Sequence, residues 1–220
     1  MRMLRIFMAA LAALCLTASS QAALVQGKDY NLLSPPQPAE PGPKVEVIEF
    51  FAYYCPHCNS LDPELGEWVR THADKINFKR IHVSESGEPM AQQRLYYALE
   101  AMGNIEQYHA KIFALMHAGH VPVNNDPDAI DLAVRRLGID RTKFLSFYNS
   151  FAVDAKVRQA IQAMQKYQVT GWPLIVMDGK YVTSPTIAGS RMAHYEEPGG
   201  NLLMLKVMDE LVDQLAAKRQ

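Results

Sequence analysis

The chain has 220 residues, 49% of them hydrophobic, and its 22 lysines and arginines nearly balance 23 aspartates and glutamates for a formal net charge of −1. That balance excludes the broad basic surface that nucleic acid or an acidic membrane demands. Three cysteines are too few for a scaffold stapled by several disulfides, and the length suits one sizeable domain, with or without an insertion.

Arg2 and Arg5 precede an uncharged apolar run from Ile6 to Leu16 that ends in small residues, the pattern of a secretory signal peptide. The run is far short of the roughly 20 residues that span a bilayer. A small-x-small site at Ser20-Gln21-Ala22 puts cleavage after Ala22, so residues 1–22 read as a leader and the protein as exported. Cys15 reads as an apolar leader residue. Removing it leaves only Cys55 and Cys58. A bridge between them closes so small a loop that it hardly restricts the unfolded chain. The pair therefore reads as redox chemistry rather than as a staple.

Residues 34–43 contain five prolines and form an extended lead-in, since neither a helix interior nor a central strand tolerates that composition. Val45 to Phe51 is short, β-branched and aromatic, and stops at the cysteine motif, as a buried strand does. From Pro56 the pattern turns helical through Leu61, Leu65, Trp68 and Val69. Pro63 is expected to kink that helix or restart it after Asp62. Lys75 to Val83 reads as a second strand that closes a βαβ unit. From Glu88 to about Tyr167 the texture is helical, with apolar sets Leu95, Leu99, Met102 and Ile130, Val134, Leu137. Asp126-Pro127 and Asp140 read as helix starts, with an aspartate N-cap in each and Pro127 at the first helical position. Strand texture returns at Leu174 to Met177, followed by Asp178-Gly179, the dipeptide of type I′ hairpins, and Lys180 to Thr183. A last amphipathic helix covers Leu202 to Ala217, and Lys218 and Arg219 read as solvated charges.

The chemistry centres on Cys55-Pro56-His57-Cys58. A cysteine at a helix start meets unpaired N–H groups and the positive end of the dipole, which favour thiolate. Pro56 suits the first helical position, and His57 adds a donor or a positive charge beside the sulfur. Cys58 follows one turn later. Cys55 is therefore expected to be the exposed, reactive sulfur and Cys58 its internal partner. A stabilised Cys55 thiolate favours the reduced protein and makes the disulfide oxidising. Pro173, in Thr170-Gly171-Trp172-Pro173, precedes a strand and on these residues alone is either a trans strand-starter or a cis proline. Zinc wants four ligands and this motif supplies two. His109, His117 and His120 lie at irregular offsets and read as surface histidines.

Glu49-Phe50-Phe51-Ala52-Tyr53-Tyr54-Cys55-Pro56-His57-Cys58 resembles the active-site segment of the DsbA family. Gly171-Trp172-Pro173 with Val176-Met177-Asp178-Gly179-Lys180-Tyr181 resembles that family's cis-proline strand and hairpin. The match covers nearly all of residues 45–217. It implies an α/β thioredoxin fold carrying an inserted all-helical domain. Residues 23–83 and 168–220 would form the two parts of the thioredoxin domain and 84–167 the insertion. It further implies a periplasmic, monomeric protein-disulfide oxidant without metal or other cofactor. Such a protein oxidises reduced exported proteins and is reset by a quinone-linked inner-membrane partner of DsbB type. Pro173 is then cis, and Glu49 is a buried glutamate that accepts or relays the Cys58 proton. Asp62 and Arg80 fall near an acidic and a basic position of the family, although a solvated pair is the plainer expectation. Trp172 departs from the small or β-branched residue usual before the proline. It narrows the substrate groove beside Gly171, offers an aromatic platform, or packs sideways as wall.

Overall fold

A computed structural model describes residues 23–219; the leader and Cys15 lie outside the described residues. The strands are β1 (Asn31–Leu32), β2 (Val45–Phe51), β3 (Ile76–His82), β4 (Leu174–Met177) and β5 (Tyr181–Thr183), in the sheet order β1-β5-β4-β2-β3. β2 pairs parallel with β3, from Val45 opposite Ile76 to Phe51 opposite His82, and antiparallel with β4. All seven β2 residues are buried, as a strand covered on both faces must be.

The two faces carry separate cores. Val45 and Val47 pack with Leu61, Leu65 and Trp68 of α1 (Pro56–Thr71) and with Met204, Met208 and Leu211 of the last helix. Ile48, Phe50 and Phe51 pack with the helices that follow β3. These are α2 (Ala91–Ala101), α3 (Ile105–His117), α4 (Asp126–Asp131), α5 (Arg141–Tyr148) and α6 (Phe151–Lys166). A short α7 (Pro185–Ala188) and α8 (Glu197–Ala217) complete the chain. Strand, helix, parallel strand, helical insertion, antiparallel hairpin and helix make a thioredoxin fold with a helical insertion.

Several details depart from the sequence reading. α1 runs through Pro63 without a restart; the proline forfeits only its own bond to the Asn59 carbonyl, and the buried face of Leu61, Leu65 and Trp68 holds the helix on course. The cap of α4 is Asn125, whose side chain accepts from the Asp128 N–H, so Asp126 is the first helical residue and Pro127 the second. Asp140 does cap α5, accepting from the Lys143 N–H at 2.7 Å. A π-helical turn, Leu132–Arg136, follows α4. Its extra residue per turn rotates the buried face, so Ala129, Leu132 and Ala133 are buried while Ile130 and Val134 are half-exposed. α8 begins five residues before the apolar pattern does, at Glu197. Asp178 and Gly179 both hold positive φ, 48° and 61°, as the hairpin requires. Arg219 is no solvated charge: it bonds the Gly42 and Lys44 carbonyls and the Asp178 carboxylate.

Candidate active site

β2 carries the chain into a tight loop whose end is Cys55, the N-cap residue of α1. Cys55 Sγ accepts from the Cys58 N–H at 3.4 Å and lies 3.7 Å from the Trp172 carbonyl oxygen, to which its thiol donates. Both thiols are free. The Trp172–Pro173 peptide is cis. The structure therefore brings the two sequence motifs face to face.

The two sulfurs are chemically unequal. The Cys55 thiol is lowered to about 6, chiefly by the hydrogen bond from the Cys58 thiol. The backbone N–H groups of Cys58 and His57 and the nearby His57 ring act in the same sense, against burial. The Cys58 thiol is pushed far up, first by burial and then by its bond to, and the charge of, Cys55. Accessibility separates them less than the sequence suggests: Cys55 is only 5% exposed and Cys58 fully buried. Tucked against the Trp172 carbonyl at the mouth of the helix, Cys55 offers an edge rather than an open sulfur.

His57 follows Pro56 in the first turn of α1. Its ring is mostly exposed, and Nδ1 lies 3.0 Å from Glu197 Oε2 at the start of α8. Trp172 is half-buried, meets Tyr54 edge-on at 6.1 Å and lines a cavity of about 380 Å³ together with His57 and Pro173. It is thus both sideways wall and groove lining. Gly171 is exposed at the rim, and a side chain there would meet nothing within 4 Å.

Behind the motif lies a buried charge cluster. Register sets Glu49 opposite Arg80, and Arg80 Nε donates to Glu49 Oε2 at 2.9 Å. Arg80 also lies 3.7 Å from the buried Asp62, and 3.6 Å from Glu106, whose side chain is exposed. Arg80 and Asp62 are therefore not a solvated pair, because α3 roofs them over. Burial raises the Glu49 carboxyl to about 7 even though Arg80 opposes the rise. Glu49 feels the cysteines as well, its charge being one cause of the Cys58 rise.

Three histidines hold Tyr53, two residues before Cys55. The Tyr53 N–H donates to His82 Nε2 at 3.2 Å, while the other His82 nitrogen donates to the Val83 carbonyl at 2.8 Å. The Tyr53 carbonyl accepts from His117 Nε2 at 2.8 Å, and its hydroxyl meets His109 Nδ1 at 2.9 Å. His109 is buried and its second nitrogen lies 3.1 Å from Asp62, without the alignment of a hydrogen bond. Of the three histidines read as surface residues, only His120 is exposed. Burial keeps His82 neutral, lowering it to about 3, and lowers His109 in the same way. Glu197, His82 and the Tyr53–His109 contact carry no sequence signal, because each depends on elements distant in the chain.

A strand that ends in paired cysteines at a helix N-terminus, with a cis proline facing them, defines a thioredoxin-fold dithiol–disulfide exchanger. A family model described as DSBA-like thioredoxin domain matches residues 76–194, and one described as Thioredoxin matches residues 41–98. The thiol:disulfide interchange protein DsbA of Burkholderia cepacia is 35% identical over 205 residues, covering 93% of this chain and 92% of its own length. That of Pseudomonas syringae pv. tomato is 33% identical over 97% of this chain and 96% of its own. The crystal structure of Pseudomonas aeruginosa DsbA superposes with a TM-score of 0.74 at 30% identity, covering 89% of this chain and 96% of that one. The oxidoreductase DsbA of Xylella fastidiosa gives 0.73 at 26% identity, covering 88% and 98%. The chain belongs to the DsbA family of thiol:disulfide interchange proteins, a family of protein-disulfide oxidoreductases.

Proposed function

We propose that this protein is a periplasmic disulfide oxidant that hands its Cys55–Cys58 disulfide to reduced exported proteins. The observation that carries the reading is the opposed pair of thiols: Cys55 lowered to about 6 and Cys58 pushed far up. A thiolate stabilised only after reduction drives the protein toward its dithiol form.

In the first step a client thiolate attacks Cys55 Sγ, a new S–S bond forms, and Cys58 leaves and takes a proton. Glu49, near 7, is matched to supply that proton and to recover it later. Pro56 sets the helix start, and His57 adds to the pull on the Cys55 thiolate. In the second step another client thiolate attacks the client sulfur of the mixed disulfide. Cys55 departs readily because its thiolate is stable. The net change moves two electrons from client to protein; at neutral pH one proton ends on Cys58, while Cys55 stays a thiolate and the second proton goes to solvent. Trp172, Gly171 and Pro173 line the path of the client segment. A quinone-linked membrane partner of DsbB type then takes the electrons. The leader pattern of residues 1–22 supports export, and among the described residues no helix is long and apolar enough to cross a membrane. The protein acts as a monomer, with residues 84–167 forming the helical insertion between the two parts of the thioredoxin domain.

The test is a trap. Cys58→Ala, incubated with oxidised clients or with a client activated as a mixed disulfide, accumulates a covalent adduct through Cys55. No adduct with Cys58→Ala, or an adduct that forms through Cys58 in Cys55→Ala instead, overturns the role assignment.

A further inference from the structure

Behind the thiols, the enclosed charges fall out of balance when Glu49 gives up its proton. Two carboxyls, Glu49 and Asp62, share the guanidinium of Arg80, and none of the three side chains is more than 9% exposed. While Glu49 is protonated, Asp62 and Arg80 cancel. Once it ionises, one negative charge is left over away from water, which is costly unless something compensates it. Glu106 also reaches Arg80, but its side chain is exposed at the rim and hydrated.

His109 stands where it can make up the difference. Its Nε2 lies 3.1 Å from Asp62 Oδ1 and its Nδ1 2.9 Å from the Tyr53 hydroxyl, and the edges of Phe51 and Phe113 wall the ring at 5.1 and 5.2 Å. The charged and titratable groups that face it are Tyr53 from the loop before Cys55, Asp62 from α1, Arg80 and His82 from β3, Tyr96 from α2 and Glu106 from its own α3. Arg80 keeps its charge, and burial pushes both phenols well above their ordinary value. His82 commits both ring nitrogens to Tyr53 and Val83. Either tautomer of His109, by contrast, becomes an imidazolium whose two N–H groups each face an oxygen, the Tyr53 hydroxyl and the Asp62 carboxylate. Burial lowers His109, Asp62 opposes the fall and Arg80 adds to it. A carboxylate appearing at Glu49 acts in the sense of Asp62.

We propose that His109 is a positioning residue of the exchange reaction, taking a proton from water when Glu49 gives one to Cys58 and returning it when Glu49 recovers its own. The proposal rests on the Glu49 relay described above and adds the group that keeps that relay neutral. The protons balance at each stage. The O–H bond of Glu49 breaks as the S–H bond of Cys58 forms, and one proton from water becomes the second N–H of His109. That proton enters from the side of the exposed Glu106, one turn away on α3. Before the transfer Asp62 alone faces Arg80; after it, two carboxylates face a guanidinium and an imidazolium. The enclosed charge sums to zero both times, which Glu49 by itself does not achieve. Glu49 and His109 therefore titrate as a pair joined through Asp62 and Arg80, not as independent sites.

The experiment uses the full mature protein in its reduced form, with labelled histidine rings and glutamate carboxyls followed by NMR from about pH 5 to 9. In the parent protein, part of the His109 signal moves to the imidazolium position through the same step in which the Glu49 carboxyl titrates. In Glu49→Gln, Asp62 and Arg80 already cancel, so the His109 ring stays neutral through that range. His109→Gln, in turn, moves the titration of the Glu49 carboxyl up by about one pH unit, because its anion has lost a counter-charge. A purely structural histidine would leave that titration where it was. A His109 ring that stays neutral in the parent while Glu49 titrates overturns the proposal, and so does one whose titration is the same in Glu49→Gln. The comparison of parent with Glu49→Gln leaves His109 in place, so it decides the matter even where His109→Gln fails to fold. A Glu49 carboxyl that does not titrate anywhere in the range sinks the relay reading as well, whereas a titrating Glu49 beside an unresponsive His109 sinks this proposal alone.

Discussion

Sweeping pH through the titration of Cys55 should change how many protons accompany reduction. With Cys55 at about 6, the reduced protein at pH 7 is about nine-tenths thiolate at that sulfur, against a few per cent for an ordinary thiol. Each proton held by the reduced form and not by the oxidised form contributes about 30 mV of potential per pH unit in a two-electron couple. Below about pH 6 both sulfurs bind a proton and the potential falls by about 60 mV per pH unit. Above it only Cys58 does, since its thiol titrates far higher, so the slope halves to about 30 mV. The assay is equilibration against glutathione buffers from about pH 5 to 8, with thiolate absorbance recorded on the same samples. Glu49, near 7, adds a further inflection only to the extent that its proton affinity differs between the two redox forms; Glu49→Gln removes that inflection and keeps the break at about 6. A single slope of about 60 mV up to pH 8, or a break at the pH of a free thiol, would refute the reasoning.

Glu49 should also couple stability to pH. Its folded value of about 7 exceeds its ordinary 4.5, so the stability it contributes is complete below about pH 4.5 and is lost as pH rises through 7, a change of about 3 kcal/mol. Denaturant unfolding of Glu49→Gln should show a pH profile flatter by about that amount; an unaltered profile contradicts the burial argument. His82 works in the opposite sense. Held near 3, it favours the folded state above about pH 6.5 and withdraws that support as pH falls toward 3. Its ring resonances should stay flat through pH 6.5, and an ordinary titration there would show that the bond to Tyr53 is not made. Phe51 is fully buried among Tyr53, Tyr96 and Phe113 at the junction of strand and insertion. Phe51→Ala should cost about 3 to 5 kcal/mol in denaturant unfolding, and a loss below about 1 kcal/mol would mean the site collapses around the smaller residue.

What the sequence displays is what depends on neighbours in the chain. Val45 to Phe51 is a strand because its run is apolar and β-branched, and α1 starts at Pro56 because that proline suits the first helical position after the capping residue Cys55. Asp178-Gly179 turns because both positions need positive φ. Pro173 is a different case: its local residues favour the commoner trans form, and only the resemblance carried by the distant motif speaks for the cis form found. Cross-chain geometry is largely hidden. Glu49 and Arg80 meet because of the β2–β3 register, and they are buried because α3 covers them; neither fact is written around either residue. His109 looks like a surface histidine until the insertion folds back over Tyr53. Glu197 reaches His57 across 140 positions of sequence, and it precedes the apolar periodicity that marks α8. The π-helical turn at Leu132 rotates a helical face that a regular period misplaces.

The central claim, that this dithiol gives disulfides away, is tested most directly by the equilibrium constant of the mature protein with glutathione at pH 7. The account predicts a Cys55–Cys58 disulfide more oxidising than the glutathione couple, so that the protein is reduced even where oxidised glutathione is in excess. A potential below about −300 mV, the range of structural disulfides, would contradict it.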